Sequence, residues 1–506
     1  MSEETLYDVA IVGYGPVGAV LAALLGQAGI SVYVCDQLND VYEIPRAIAL
    51  DHEILRVFQQ IGIVDAVLPY VEPFTPSEFY GVDGQLIRRL TMIEAPYPLG
   101  YTPSVVFTQP PVERILRTRV AALSNVTVDL STELLEFSQT GAQVTLKVRR
   151  ATDAGAFHHT VNAKWMIGCD GGGSRVRSAL NIALEDLDFD EPWLVVDALV
   201  NAEGLKKLPR TSVQYCEPER PCTFVIGPNN HRRWEISLKP GEDPVKAASA
   251  EGTWALLRRW IAPGDGDLWR QSSYRFHALV AERWRDGRIF LAGDAAHMQP
   301  PFLGQGMCQG IRDAANLAWK LERVVRGQVP AEQTDTLLDS YPLERKAHVS
   351  ELIQRLKKIG EVICERDVNK ARERDANMLA ACGGVVKDTP RQDILPSLQN
   401  GIVSARGVTG RGTLFPQVVQ EGKRMDDAIG YGWRLLHDGT LSTPTQSGLR
   451  CINVTQAFAT GNVAQTWLDK HGAHAALVRP DHYVYGTAAS GAQLMELLDE
   501  ALGSIN

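Results

Sequence analysis

At 506 residues the chain is long enough for two or three domains with sizeable cores, and 45% hydrophobic with 22% charged residues is the balance of an ordinary globular protein. A formal net charge of -9 argues against a nucleic-acid binder, which carries a basic excess or stripe. No apolar run is long enough to span a membrane, and the acidic start Met1 to Asp8 lacks the features of a signal peptide, so a cytoplasmic protein is expected.

The eight cysteines form no CxxC pair and no His/Cys cluster with zinc spacing, so reduced structural thiols and no metal are expected. Cys216 and Cys222 are the closest pair.

Asp8 to Val12 is a short apolar run of the kind that forms a buried parallel strand. Gly13, Gly15 and Gly18 follow in GxGxxG spacing: the first for a tight turn, the second for backbone approach to a pyrophosphate, the third for helix–strand packing. A helix is predicted from Pro16, with Val17 in its first turn, to about Ala28, its amino-terminal amides facing phosphates. A second strand, Ser31 to Cys35, ends at Asp36, 18 residues after Gly18, where an acid suits adenosine ribose hydroxyls; Gln37 adjoins it. On this motif alone FAD and NAD are both open.

Pro45-Arg46-Ala47 is read as the start of a helical segment that carries Asp51 and His52, and Phe107 to Glu113, with Gln109, as the lead into a helix ending near Val120. Trp165 to Arg177 reads as strand, glycine turn (Asp170, Gly171) and helix start. Trp193 to Asp197 and Arg233 to Leu238 alternate apolar and polar residues, as antiparallel strands with one packed face do, and His231 is placed in an exposed turn. Arg288 to His297 again ends a strand in Gly293-Asp294. Pro300 to Met307, with Pro301, Gly304, Gln305 and Gly306, is a glycine turn before a helix expected from Gly310 to about Val325. The charge pattern of 340 to 385 points to a solvated or dimer-facing helix surface, which puts a homodimer among the expected assemblies, and Thr389 to about Gly412 reads as a linker.

With its GxGxxG, its Asp170…Arg177 element and its Gly293-Asp294 element in this order, the sequence resembles the class A flavoprotein aromatic hydroxylases, and most nearly the 3-(3-hydroxyphenyl)propionate hydroxylases. Pro45 to Ile48, Cys216 to Pro221, Arg232 to Glu235, Leu291 to Gly306, Arg312-Asp313-Ala314, Asn316 to Leu321, Tyr341 with Glu344-Arg345, and, for the carboxy-terminal domain, Leu477 to Tyr483 carry the resemblance. It implies an α/β plus β architecture: a Rossmann-like, para-hydroxybenzoate-hydroxylase-like FAD domain (1–75, 101–185, 281–345) and an antiparallel-sheet substrate domain (76–100, 186–280). A helical connection (346–395) and a thioredoxin-like carboxy-terminal domain (396–506) without a redox cysteine pair complete it.

The resemblance implies FAD bound through the three motifs, with Asp294 on the ribityl chain, Arg46 on the phosphate/ribose region and Gln109 along the flavin. Asp170 and Arg177 are implied near the pyrophosphate, and the Pro301 to Met307 turn around the isoalloxazine. Cys308 departs from the family's usual Asn. The implied chemistry is hydroxylation of a phenolic aromatic acid, 3-(3-hydroxyphenyl)propionate first, by NADH or NADPH and O2 through a flavin hydroperoxide. Other phenols, halo- or nitroaromatics and aromatic polyketides are alternatives, as are a flavin oxidase or dehydrogenase and a non-catalytic flavin protein. A base near the phenol would help, and His52, Tyr215 and Arg220 are the candidates, Arg220 as a carboxylate grip.

Overall fold

The computed structural model describes residues 5–152, 155–406, 408–444, 448–459 and 461–505. Five strands run parallel at the centre of an eight-stranded sheet, in the spatial order Ile289–Leu291, Gly155–Gly168, Leu6–Val12, Val32–Cys35 and Val126–Asp129. Helix Pro16–Gln27 packs on the first two strands of the chain and contacts both Gln109–Ala121 and Gly306–Val325. Val9, Ile11 and Val34 are wholly buried, which is why these strands read as unbroken apolar runs.

The second sheet has nine strands, in the order His297–Met298, Gly266–Ala281, Leu184–Val200, His231–Ser237, Cys222–Ile226, Ser212–Tyr215, Ser77–Tyr80, Leu86–Thr91 and Asp388–Pro390. Side chains alternate across it. Leu194, Val196, Trp234 and Ile236 enter a core with Phe224 and Leu257, so Val195, Arg233 and Glu235 face the other way, onto a cavity. The edge strand Asp388–Pro390 lies where the sequence suggested connection and linker; it pairs with Leu86–Thr91, and Pro390 suits an edge because no ladder donor is needed there.

Three other expectations shift. The segment after Arg46 is not helical until His52: Ala49–Asp51 is a strand, and the Asp51 carboxylate caps the helix His52–Gln60 by accepting from the Glu53 and Ile54 amides. The helix expected from Gly310 begins at Gly306; Gly310 serves close packing, since a Cβ there would fall 2.5 Å from Val17 Cγ2. Helix Thr334–Cys364 is not simply a solvated surface, because Leu338, Tyr341, Val349, Leu352 and Leu356 are buried on it.

The carboxy-terminal sheet runs Arg450–Asn453, Arg434–His437, Ala475–Val478, Val484–Ala488, one parallel pairing followed by two antiparallel ones, with helix Gly491–Ile505 packed on it. Cys451 is exposed there and unpaired. Buried polar contacts dock this unit: Arg56 Nε meets Asp426 Oδ2 at 2.6 Å and the Tyr483 hydroxyl donates to Glu53 at 2.9 Å, while Arg434 Nη1, within the unit, holds Asp426 Oδ1 at 2.7 Å.

Candidate active site

Gly13 leaves the first strand at φ +101°, and a Cβ there would stand 2.4 Å from the Cys169 carbonyl. The first and second motifs are therefore in backbone contact, which only glycine permits. At Gly15 nothing lies within 4 Å of a notional Cβ: the bare backbone faces open space at the amino end of helix Pro16–Gln27, as an anion cradle requires. Gly18 is closed instead, its Cβ position 2.0 Å from the Gly13 carbonyl. Asp36 Oδ2 accepts the Tyr14 amide at 2.6 Å and Oδ1 the Leu38 amide at 2.8 Å, which fixes the carboxylate at the strand end with lone pairs to spare.

In the second motif Asp170 accepts from Ser174 Oγ at 2.5 Å and the Val176 amide at 3.1 Å, and Ser174 caps the Arg177 amide. The Arg177 guanidinium donates to the carbonyls of Ala295 at 2.9 Å and Gly172 at 2.7 Å. Asp170 thus braces the second motif internally, and Arg177 ties it to the third. Gln109 Oε1 accepts the amides of Arg46 at 2.7 Å and Ala47 at 2.6 Å, fastening the loop that carries Arg46.

These elements border a cavity of about 410 Å³ between the parallel sheet and the nine-stranded sheet. Gly15, Pro16, Val17, Arg46, Gln109 and Gly171 line it, as do Asp294, Pro301, Gly304, Gly306 and Met307. Gly13, Gly18, Asp36, Gln37, Asp170, Arg177, Gly293 and Gln305 stand outside this lining; Gln37 is exposed, and Gln305 accepts from Arg312 at 3.1 Å. Asp294 opens onto the cavity with protein around it on its other sides, and that burial raises its carboxyl while His297 and Arg46 oppose the rise. The Cys308 thiol donates to the Ala49 carbonyl at 3.7 Å and does not line the cavity.

None of the three substrate-side candidates, His52, Tyr215 and the carboxylate grip Arg220, lines the cavity. His52 is buried at the start of its helix, and burial holds its pKa down to about 4, so it stays neutral near pH 7. Tyr215 lies on the opposite face of its strand from Ser212 and Gln214, accepts from Trp260 Nε1 at 3.1 Å and carries the Arg259 guanidinium over its ring. Arg220 is held at the surface by Glu242, at 2.6 Å. His231 is not exposed: it is buried with Nε2 2.7 Å from Asp197, which also takes Arg233 Nε at 2.7 Å.

The roof supplies residues the motifs did not mark. Glu235, Gln214 and Thr223 face the cavity, and so does Arg391, which follows the edge strand Asp388–Pro390. The strand alternation carried the signal for Glu235, two positions from Arg233. Nothing in the local sequence signalled Arg391.

A family model described as FAD binding domain matches residues 6–356. A probable NADH-specific resorcinol 4-hydroxylase of Rhodococcus jostii is 34% identical over 98% of this chain and 95% of its own length. A 3-(3-hydroxy-phenyl)propionate/3-hydroxycinnamic acid hydroxylase of Klebsiella pneumoniae subsp. pneumoniae is 32% identical over 97% and 94%. The chain belongs to the FAD-dependent aromatic hydroxylases of this family. Among solved structures, an aklavinone-11 hydroxylase in complex with FAD and aklavinone matches this hydroxylase's fold with a TM-score of 0.77 at 24% identity, covering 99% of this chain and 100% of that one. The hydroxylase is thus a flavoprotein monooxygenase using FAD, a reduced nicotinamide nucleotide and O2. Among the described residues no helix is long and apolar enough to cross a membrane, and no cluster of His, Cys, Asp and Glu could hold a metal.

Proposed function

We propose that this hydroxylase acts on a phenolic aromatic acid of the 3-(3-hydroxyphenyl)propionate type, giving the 2,3-dihydroxy product, with NADH as reductant. One observation carries the acid. Arg391 is 8% exposed, stacks on Phe74 at 4.1 Å and donates to Ser77 Oγ at 3.1 Å and the Leu303 carbonyl at 2.9 Å. Among the described residues no carboxylate comes within ion-pair distance of it. Burial brings its pKa down to about 10, so it is still a cation at neutral pH. A buried, uncompensated charge is costly; a substrate carboxylate in the same cavity offsets that cost. The names of the propionate hydroxylase relatives support the same reading.

Bound FAD, once reduced, activates O2 for transfer of one oxygen atom to the ring. The chain's own part is to hold and enclose. In this reading the Gly15 to Val17 turn meets the pyrophosphate, Asp36 the adenosine ribose and Asp294 the ribityl chain. Gly304 to Met307 offers backbone to the isoalloxazine, and the nine-stranded sheet excludes water above it. The domain limits 1–75, 101–185 and 281–345 for the flavin and 76–100 and 186–280 for the substrate belong to this proposal.

A second reading, resorcinol, is favoured by the name of the Rhodococcus relative. Anaerobic reduction of the yellow protein by NADH, with each phenol in turn, separates them. Acceleration by the propionate phenol and not by resorcinol supports the acid; the reverse pattern overturns it. Equal reduction with no phenol present removes the substrate gating on which both readings depend.

A further inference from the structure

Glu235 sits mid-strand in His231–Ser237, opposite Val195 on one side and Thr223 on the other, and all three line the cavity. It is 6% exposed, yet its carboxyl accepts a hydrogen bond from no described residue. Its polar neighbours are already engaged. Arg233 forks onto Asp197, with Nε–Oδ1 2.7 Å and Nη2–Oδ2 3.0 Å, and spends Nη1 on the Arg46 carbonyl at 2.9 Å. Thr223 Oγ1 donates to Gln214 Oε1 at 2.5 Å.

A buried carboxyl without partners is unfavourable in either protonation state. A ligand hydroxyl satisfies both states. A hydroxyl donates to the carboxylate and accepts from the carboxylic acid. Among the described residues Glu235 lines the cavity in which, on the proposed reading, the ring lies.

We propose that Glu235 is the group that takes the proton of the substrate's ring hydroxyl. The inference rests on the reading of the substrate as a phenol. In the step the phenol O–H bond breaks, the proton joins a Glu235 carboxylate oxygen, and the electron pair stays on the phenol oxygen; nothing is oxidised or reduced. The phenolate that results donates more electron density to the ring than the phenol, which favours attack by an electrophilic oxygen.

Titration near neutrality supports the assignment. Burial raises the Glu235 carboxyl to about 7; Arg233 on its own strand and Arg270 on Gly266–Ala281 pull it down, and Asp197 on Leu184–Val200 pushes it up. The facing positions of Cys222–Ile226 and Ser212–Tyr215 are Thr223, Val225, Ser212 and Gln214, none of them charged, and the other charged groups on the cavity are Arg46, Asp294 and Arg391. A base with a pKa near the working pH is the efficient one.

The test uses the FAD-loaded wild type, Glu235→Gln and Glu235→Asp, each checked for flavin content and phenol binding. Coupled hydroxylation is followed from pH 5.5 to 9, with the parent phenol and a ring-fluorinated, more acidic analogue. The wild-type kcat/KM should rise through about pH 7. Glu235→Gln should lose roughly 100-fold or more at pH 7, while its flavin content and phenol Kd stay within about twofold. Glu235→Asp should recover part of the rate. The fluorinated phenol should recover Glu235→Gln far more than it helps the wild type, because it gives up its proton unaided; a merely structural role predicts no such rescue. A wild-type pH profile in Glu235→Gln, or an equal loss for both phenols, overturns the assignment alone. Absence of coupled hydroxylation of any phenol by the wild type overturns the substrate reading and this inference with it.

Discussion

The Gly293 amide donates to Asp313 Oδ2 at 2.9 Å, so the turn that presents Asp294 to the cavity hangs from a carboxylate in helix Gly306–Val325. The same oxygen takes His297 Nε2 at 2.7 Å, and Oδ1 takes Arg345 Nε at 2.8 Å. Asp313 is fully buried, and removing it strands a cation and an amide. Asp313→Ala should cost about 3–5 kcal/mol of stability and leave most of the protein without flavin; Asp313→Asn should fall between. Urea unfolding and the ratio of flavin to protein absorbance read this, and full flavin content in Asp313→Ala would show that the turn stands without it.

Two glycines of the first motif should fail differently. Gly13→Ala puts a methyl 2.4 Å from the Cys169 carbonyl at a φ of +101°, so the fold itself should suffer, with a loss of soluble protein or a clearly lower Tm. Gly15→Ala meets nothing within 4 Å. It should fold with a near-normal Tm as apoprotein, yet bind FAD more weakly by about tenfold or more. Thermal melts with and without added FAD separate the two, and equal apoprotein stabilities for both variants would contradict the distinction.

Arg391 offers a test of substrate charge. Arg391→Met should raise KM for the phenolic propionate by roughly 30-fold or more, on the scale of a lost charge-assisted hydrogen bond, and leave resorcinol kinetics within about threefold. Arg391→Lys should recover only part of the loss, since a point charge does not reproduce a fork. The charged-to-neutral substrate ratio is the readout, and a KM increase shared by both substrates would assign Arg391 to structure.

Acid should loosen the carboxy-terminal unit. Burial raises the Glu344 carboxyl, but Arg479 and then Lys320 outweigh it and bring it down to about 2. Arg479 is the partner that matters most, because Lys320 is itself lowered to about 8 by burial despite Glu344. A carboxyl depressed in the folded state contributes stability above its unfolded pKa of about 4.3, lost progressively as pH falls toward 2. Glu344→Gln should therefore flatten the fall of Tm between about pH 4.5 and 2.5 while lowering Tm at pH 7. An unchanged acid limb in that variant counts against the ion pair as the acid-labile element.

The motif-bearing side of the cavity was legible because its residues act through local geometry: glycine spacing, a strand end and a helix start all lie within short windows. Gly15, Arg46, Gln109 and Asp294 accordingly meet around one cavity. The wall formed by the nine-stranded sheet was less so. Tyr215 and Arg220 were chosen by residue type, and a one-residue change of phase along a strand sends a side chain to the opposite face. The phase itself was readable, since Trp234 and Ile236 are core residues and Glu235 lies between them. His52 and His231 were misplaced for a different reason: each is held by a group distant in the chain, the Pro103 carbonyl for the His52 amide and Asp197 for His231. Arg391 reaches the cavity only through pairing of Asp388–Pro390 with Leu86–Thr91, which no local pattern foretells.

That pairing bears on how such an enzyme can be re-engineered. The nine-stranded wall of the cavity is assembled from three separated stretches of chain, the last contributed some 90 residues after the second ends. A chimera that imports residues 186–280 from a relative would inherit the foreign wall with the native edge strand and the native Arg391. Substrate preference should then transfer incompletely until residues 386–395 travel with it, so the exchangeable unit of specificity is a discontinuous surface and not a segment of sequence.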